Sequence, residues 1–272
     1  MFRSASLPAI RHGAEPILFD GGPVGCVCVH GFSASPEEMR WLGEYLQERG
    51  VTVFVPRLAG HGTALHMFAR QHWMDWYEDV LDGVALLRAR CRTVYAAGLS
   101  MGGLLTLRAA AAGVLDGAIV MAAPIALQPP LIRLSPVLKY IWRMVRIESQ
   151  GLDERVRALQ RAMGREDYGA VKYRERWPMA AIAQLNALTG EVRRHLAEVS
   201  VPLLLIYSKA DRTVPYEHMA FIAGRVRSAD LVQRTLEHSD HVLTQEAERE
   251  TVYALVWEFL ATRSGLPLEP SR

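Results

Sequence analysis

The chain lacks the features that mark secreted or membrane-spanning proteins. Its 272 residues include only three cysteines, and Cys26 and Cys28 lie in one apolar run, where strand alternation would place both thiols on one face. We therefore predict buried thiols and no disulfide framework, as in a reducing compartment. No apolar run approaches the roughly 18 residues of a membrane span, and Pro8 and Pro16 interrupt the N-terminal region where a secretory signal would lie. The sequence predicts a soluble, cytoplasmic protein without a transmembrane segment.

Net charge is also low. The formal charge of +2 comes from basic residues that mostly alternate with acidic ones, whereas binding a phosphate backbone requires clustered positive charge. We therefore predict no nucleic-acid partner. Half of the residues are hydrophobic, which is enough for the large core of a globular enzyme.

Short apolar runs alternate with helical patterns along most of the chain. The runs are rich in β-branched residues, as strands buried on both faces are: they span 24–29, 51–55, 93–97, 118–122, 202–207 and 231–236. Helical patterns cover 36–49, 73–90, 101–112, 216–226 and 245–262. This alternation predicts an α/β fold with a mostly parallel sheet covered by helices, whose ligands bind at the carboxyl ends of the strands.

One segment, 125–190, departs from this rhythm. It shows no readable strand, its helical patterns lie near 136–147, 152–163 and 179–188, and it carries 11 basic and 6 acidic residues. We interpret it as a helical cap, or lid, inserted into a core formed by 1–124 and 191–272. An additional packed subdomain is the alternative.

The strongest chemical signal is the segment Gly98-Leu99-Ser100-Met101-Gly102-Gly103, which joins a predicted strand to a predicted helix. A nucleophilic serine on such a sharp turn is strained, and glycines on either side prevent collisions with the adjoining backbone. Ser100 is therefore the candidate nucleophile, with Gly98 and Gly102 forming the elbow. The alternative is a glycine-rich turn with an idle serine.

A serine nucleophile needs a general base. His241 lies between the last predicted strand and the last predicted helix, so we expect it at the carboxyl edge of the sheet, on the same side as Ser100. His238 is the competitor, but His241 is favoured because the residues that follow it lead directly into the helix.

The base in turn needs an acid that orients it. Asp211 follows the predicted strand 202–207, and it completes the order serine, aspartate, histidine. Asp230 begins a strand and so lies at the wrong edge, while Asp240 is too close to His241 to reach its far nitrogen. Capping of the next helix is the alternative role for Asp211.

Acyl transfer also requires donors for the developing oxyanion. Gly31 follows the first buried strand and lets the backbone turn inward, so the backbone N–H groups of Phe32 and Met101 are the candidate pair. We interpret His30 as a structural residue that supports this loop.

The sequence resembles the bacterial carboxylesterases and monoacylglycerol lipases of the α/β-hydrolase superfamily. The resemblance rests on His30-Gly31-Phe32, Pro56-Arg57-Leu58-Ala59-Gly60-His61-Gly62, Asp75-Trp76-Tyr77-Glu78-Asp79-Val80, the Ser100 segment, Ala122-Ala123-Pro124, Asp211 and His241. It implies a helical cap, a catalytic triad of Ser100, Asp211 and His241, and neither a metal nor an organic cofactor. Asp240 departs from the family pattern, in which a small residue commonly precedes the base.

These observations predict a serine carboxylesterase for short- to medium-chain esters, with a small-molecule ester as its partner. A monoacylglycerol lipase is the alternative within the same chemistry, because the apolar and basic residues near 131–146 would suit transient contact with an anionic membrane surface. A non-catalytic binding protein on the same fold is the alternative from another class.

Overall fold

The computed structural model describes residues 10–128, 132, 134–146, 158, 161–162 and 176–267. Its centre is a seven-stranded sheet in the order β1-β3-β2-β4-β5-β8-β9. The strands are β1 (Ile17–Phe19), β2 (Val24–Val29), β3 (Val51–Val55), β4 (Thr93–Leu99), β5 (Gly117–Met121), β8 (Leu203–Ser208) and β9 (Leu231–Leu236). Within this sheet β1 is antiparallel to β3 and the other pairs are parallel. The predicted α/β-hydrolase fold is confirmed, and β1 is the strand that the sequence did not predict.

Eight α-helices with defined bounds lie among the described residues, and a 3-10 helix (Leu196–Glu198) follows the sixth. The α-helices are α1 (Glu37–Gln47), α2 (Leu65–Phe68), α3 (Trp73–Arg88), α4 (Met101–Ala111), α5 (Ser135–Leu138), α6 (Met179–His195), α7 (Glu217–Ala223) and α8 (Arg249–Ser264). None of them combines the length and the apolar character that crossing a bilayer requires.

The sheet separates two hydrophobic clusters. Helices α3, α4 and α6 pack on one face and α1 and α8 on the other. Alternation along β2 sends Val27 and Val29 to the first cluster, and Cys26 and Cys28 to the second. The two sulfurs lie 3.8 Å apart as free thiols, in agreement with the prediction of no disulfide.

The segment 125–190 contains two strands, so the prediction that it holds none was wrong. Strand β6 (Met144–Arg146) pairs antiparallel with β7 (Arg176–Pro178), and Val145 lies opposite Trp177. The helix predicted over 136–147 forms only at Ser135–Leu138, and Met144–Arg146 forms strand β6 instead. A short apolar segment fits a period of two as well as a helical period, so the sequence pattern did not distinguish the two.

The third helix predicted in this segment forms as α6. It continues to His195, which lies beyond residue 190, where the cap was predicted to end. Its buried residues join the cluster of α3 and α4, so this helix packs directly against the core. The helix predicted over 152–163 lies almost entirely outside the described residues.

Candidate active site

Ser100 occupies the sharp turn between β4 and α4. Its backbone angles, φ 56° and ψ −117°, lie in a region that residues other than glycine rarely adopt. A Cβ atom on Gly98 would lie 2.1 Å from the carbonyl oxygen of Gly102, and one on Gly102 would lie 2.1 Å from that of Val29. A side chain at either position would therefore collide with the adjoining backbone, and the strained turn places Ser100 at the carboxyl edge of the sheet.

Ser100, His241 and Asp211 form one continuous chain of hydrogen bonds. His241 Nε2 lies 3.0 Å from Ser100 Oγ, and His241 Nδ1 lies 2.9 Å from Asp211 Oδ2. The three residues come from the loops after β4, β8 and β9, which meet because the parallel strands end at the same edge. This arrangement can take a proton from the serine hydroxyl and stabilise the charge that the imidazole gains.

Asp211 is held as an ionised carboxylate. Its side chain is 1% exposed, and burial raises its pKa, but His241 and the backbone N–H groups of Thr213 and Val214 outweigh that effect and leave the pKa below its ordinary value. The two amides donate to Oδ1 over 2.7 and 2.9 Å, so Oδ2 remains directed at the imidazole. The carboxylate thus has a fixed orientation.

The competing residues lie elsewhere. His238 is exposed, and its backbone N–H donates to Glu248. Asp230, at the start of β9, pairs with Arg263. The Asp240 carboxylate is directed at another partner, Arg212.

The Asp240–Arg212 pair joins the loops that carry the base and the acid. Arg212 Nε donates to Asp240 Oδ2 over 2.8 Å, and the Arg212 backbone N–H donates to Oδ1 over 3.1 Å. Because Arg212 follows Asp211 and Asp240 precedes His241, this pair lies beside the Asp211–His241 contact. The sequence singled out Asp240 as a departure from the family pattern, but nothing in it indicated that Arg212 would be its partner.

The loop after β2 lies close to Ser100. A Cβ atom on Gly31 would lie 3.6 Å from Ser100 Cβ. Among the hydrogen bonds of the described residues, neither Phe32 N–H nor Met101 N–H donates to a protein acceptor. Met101 is the first residue of α4, where the helix dipole favours negative charge.

Glu38, which contacts the backbone of this loop, was not identified from the sequence. Glu38 is buried, and its Oε2 accepts the Gly31 N–H over 2.7 Å. An acidic residue in the first turn of a helix is usually a solvated partner of the helix dipole, so the sequence pattern gave no signal for this contact.

The fold is that of an α/β hydrolase, and Ser100 lies at the turn between β4 and α4. The sequence profile of the Alpha/beta hydrolase family matches residues 26–255, and the chain belongs to that family. The predicted resemblance to bacterial carboxylesterases and monoacylglycerol lipases is confirmed by two curated relatives.

The chain is 28% identical over 247 residues to the carboxylesterase of Bacillus subtilis (strain 168), covering 90% of this chain and 96% of the relative. It is 31% identical over 261 residues to the thermostable monoacylglycerol lipase of Bacillus sp. (strain H-257), covering 94% and 98%. A solved structure from work on the metagenome-derived lipolytic enzymes LipS and LipT superposes with a TM-score of 0.83 at 27% identity, covering 93% of this chain and all of that one.

Proposed function

We propose that this protein is a serine carboxylesterase for short- to medium-chain esters, with Ser100 as nucleophile, His241 as general base and Asp211 as the orienting acid. The family and the relatives identify a carboxylic ester hydrolase. The assignment of roles rests on one observation, the unbroken hydrogen-bond chain from the serine hydroxyl to the buried carboxylate.

In the acylation step, Ser100 Oγ attacks the ester carbonyl carbon while its proton moves to His241 Nε2. Asp211 accepts the Nδ1–H hydrogen bond and stabilises the imidazolium. The backbone N–H groups of Phe32 and Met101 donate to the oxyanion. Collapse of the tetrahedral intermediate breaks the bond to the alcohol, which leaves with the proton of the imidazolium.

Deacylation repeats these steps with water. His241 removes a proton from the water molecule, whose oxygen attacks the acyl carbon. The second tetrahedral intermediate then releases the acid and returns the proton to Ser100.

Ser100→Ala tests this proposal. Loss of such a nucleophile lowers turnover by on the order of a million-fold, and a fluorophosphonate probe should label the wild type but not the variant. Ser264→Ala is the matched control, because Ser264 lies at the end of α8 with its hydroxyl bonded to Leu260. A purified Ser100→Ala variant that kept more than about a hundredth of the activity would overturn the assignment.

A monoacylglycerol lipase is the second candidate. The relative with 31% identity carries that name, and the region around α5 and β6 exposes large apolar side chains beside Lys139 and Arg143. The exposed apolar residues are Leu134, Val137, Tyr140, Ile141, Trp142 and Met144. A panel of esters with two- to sixteen-carbon acyl chains, including monoacylglycerols, distinguishes the candidates.

The segment 125–190 is the proposed cap, and it sets acyl-chain length without taking part in the chemistry. The Trp177 ring packs edge-on against Phe32 at 5.2 Å, whereas Trp142 is 53% exposed. Trp177→Ala should therefore raise the preferred acyl length while hydrolysis of a two-carbon ester is nearly unchanged. Trp142→Ala should change neither the preferred acyl length nor the hydrolysis of the two-carbon ester. Equal loss of all substrates in a correctly folded Trp177→Ala variant would place the cap within the catalytic machinery.

A further inference from the structure

We propose that His61 is a positioning residue for the reaction, which acts with His30 to aim the Phe32 N–H at the oxyanion. The inference rests on the proposed role of Phe32 in ester hydrolysis. His30 lies in the same loop as Phe32, whereas His61 comes from the separate segment 56–62.

The two imidazoles hold the peptide groups on either side of the Phe32 Cα atom. His30 Nδ1 lies 2.9 Å from the Gly31 carbonyl oxygen, and His61 Nε2 lies 2.8 Å from the Phe32 carbonyl oxygen. In a trans peptide group the C=O and N–H bonds point in opposite directions. Holding the Gly31 oxygen on one side therefore directs the Phe32 N–H to the other, and holding the Phe32 oxygen prevents rotation about its Cα.

The hydrogen bonds also determine the tautomers. His30 Nε2 accepts the Leu58 N–H over 3.3 Å, so the His30 proton resides on Nδ1 and is donated to Gly31. His61 faces two carbonyl oxygens, and the contact of Nε2 with Phe32 is shorter than the 3.2 Å contact of Nδ1 with Ala59. A neutral ring has one N–H to donate, and the shorter contact places it on Nε2.

Both rings remain neutral donors at the pH values where an esterase with a histidine base would work. Each is fully buried. Burial lowers the pKa of His30 to about 4, with a smaller effect of Arg57, and it lowers the pKa of His61 to about 3, with a smaller effect of His30. The two rings pack edge to face with centroids 4.9 Å apart, so the pair forms one unit.

Helix α3 anchors this unit to the core. Trp76 Nε1 donates to the Ala59 carbonyl oxygen over 3.1 Å, and the Ala59 N–H donates to Asp79 over 2.5 Å. Arg57 donates to the His61 carbonyl oxygen over 3.0 Å. His61 thus connects a rigid helix to a loop that must keep one N–H in a fixed direction.

The alternative is that His61 only fills space between aromatic rings, since it packs against Phe68 at 4.5 Å and Trp76 at 5.6 Å. Two amide substitutions separate these roles. In His61→Gln the side-chain amide reaches the position of Nε2 and can still donate to Phe32. In His61→Asn it reaches only the position of Nδ1 and leaves the Phe32 oxygen without its donor.

The expected result is that His61→Gln keeps kcat within about tenfold of the wild type, while His61→Asn loses about a hundredfold with little change in KM, as loss of one oxyanion donor does. Affinity for a trifluoromethyl ketone, which forms the tetrahedral adduct, should fall in parallel with kcat. Equal activity of two folded variants, or a change confined to KM, would overturn the proposal. If Ser100→Ala is inactive and the two His61 variants are equally active, only the positioning role is rejected. If Ser100→Ala remains active, the proposed function itself is rejected.

Nitrogen NMR on the wild type gives a second test that does not depend on the folding of a variant. The His61 proton should reside on Nε2 and the His30 proton on Nδ1 between pH 5 and 9. The opposite tautomer of either ring would overturn the proposal.

Discussion

Asp79→Asn should stabilise the protein at neutral pH. Burial raises the pKa of Asp79 to about 6, with smaller contributions from Asp82 and Asp75, and the Ala59 N–H and Arg57 oppose this shift only in part. The folded protein therefore holds the proton more tightly than the unfolded chain, whose carboxyl group has a pKa near 3.8. The native state consequently carries a buried charge above pH 6 at a cost to stability.

The sign and size of the effect follow from this shift. A carboxyl group whose pKa is raised on folding adds stability at low pH, and that contribution is lost as the pH rises from about 4 to about 6. The shift of about two pKa units corresponds to about 3 kcal/mol, which we reduce to about 1–2 kcal/mol because the side chain is partly exposed to solvent. Asparagine removes the charge, and its carbonyl oxygen can still accept the Ala59 N–H.

Urea unfolding followed by circular dichroism at half-unit steps from pH 4.5 to 8 measures the difference. The free energy of unfolding of Asp79→Asn should exceed that of the wild type by about 1–2 kcal/mol at pH 7.5, and the gap should close towards pH 4.5. Glu78→Gln, an exposed neighbour on α3, is the control and should show no such trend. A variant that is less stable than the wild type at every pH would mean that Ala59 requires a charged acceptor, and the reasoning would be wrong.

Two further predictions concern the base. His241→Ala should be nearly as damaging as loss of the serine and His238→Ala should be mild, because only His241 lies within hydrogen-bond reach of the nucleophile; the reverse ranking of kcat/KM would refute the assignment. Arg212→Met should move the acid limb of the kcat/KM profile to higher pH. The substitution leaves the Asp240 carboxylate without its arginine partner, and this charge, on the residue before His241, favours the protonated imidazole. Adding Asp240→Asn should restore the limb, and an unchanged profile in Arg212→Met would show that the ion pair does not influence the base.

Most of the sheet could be predicted from the sequence because strands buried on both faces appear as continuous apolar runs. Six of the seven strands coincide with predicted runs, and five of them, β2, β3, β4, β5 and β8, are buried along nearly their whole length. The sixth, β9, is partly exposed. Strand β1 was missed because it is short and Leu18 is 42% exposed. The hairpin of β6 and β7 was missed for a related reason, since three-residue strands do not show a period and their pairing joins residues about thirty positions apart.

The positions of the candidate triad could also be predicted, because each residue follows a recognisable strand and parallel strands end together. The contacts that hold these residues in place could not. Glu38 reaches back seven residues to Gly31, and Arg212 reaches across to Asp240, and neither contact has a characteristic spacing. Side-chain partners between loops depend on the path of the backbone, which local periodicity does not determine.

The arrangement of these contacts explains how loops can support precise chemistry. Ser100 is fixed by the strained elbow, whose glycines allow the adjoining backbone to approach closely. The loops of Asp211 and His241 lack such a turn, but the ion pair between their neighbours, Arg212 and Asp240, limits their relative motion. The loop proposed to bind the oxyanion has no catalytic side chain to lock it, so its orientation depends on groups that bind its backbone. Glu38 from α1 accepts the Gly31 N–H, and His61 from the segment 56–62 contacts the Phe32 carbonyl oxygen. Each part of the site is therefore held by a different device, and a substitution in one should impair its own step of the reaction while leaving the others in place.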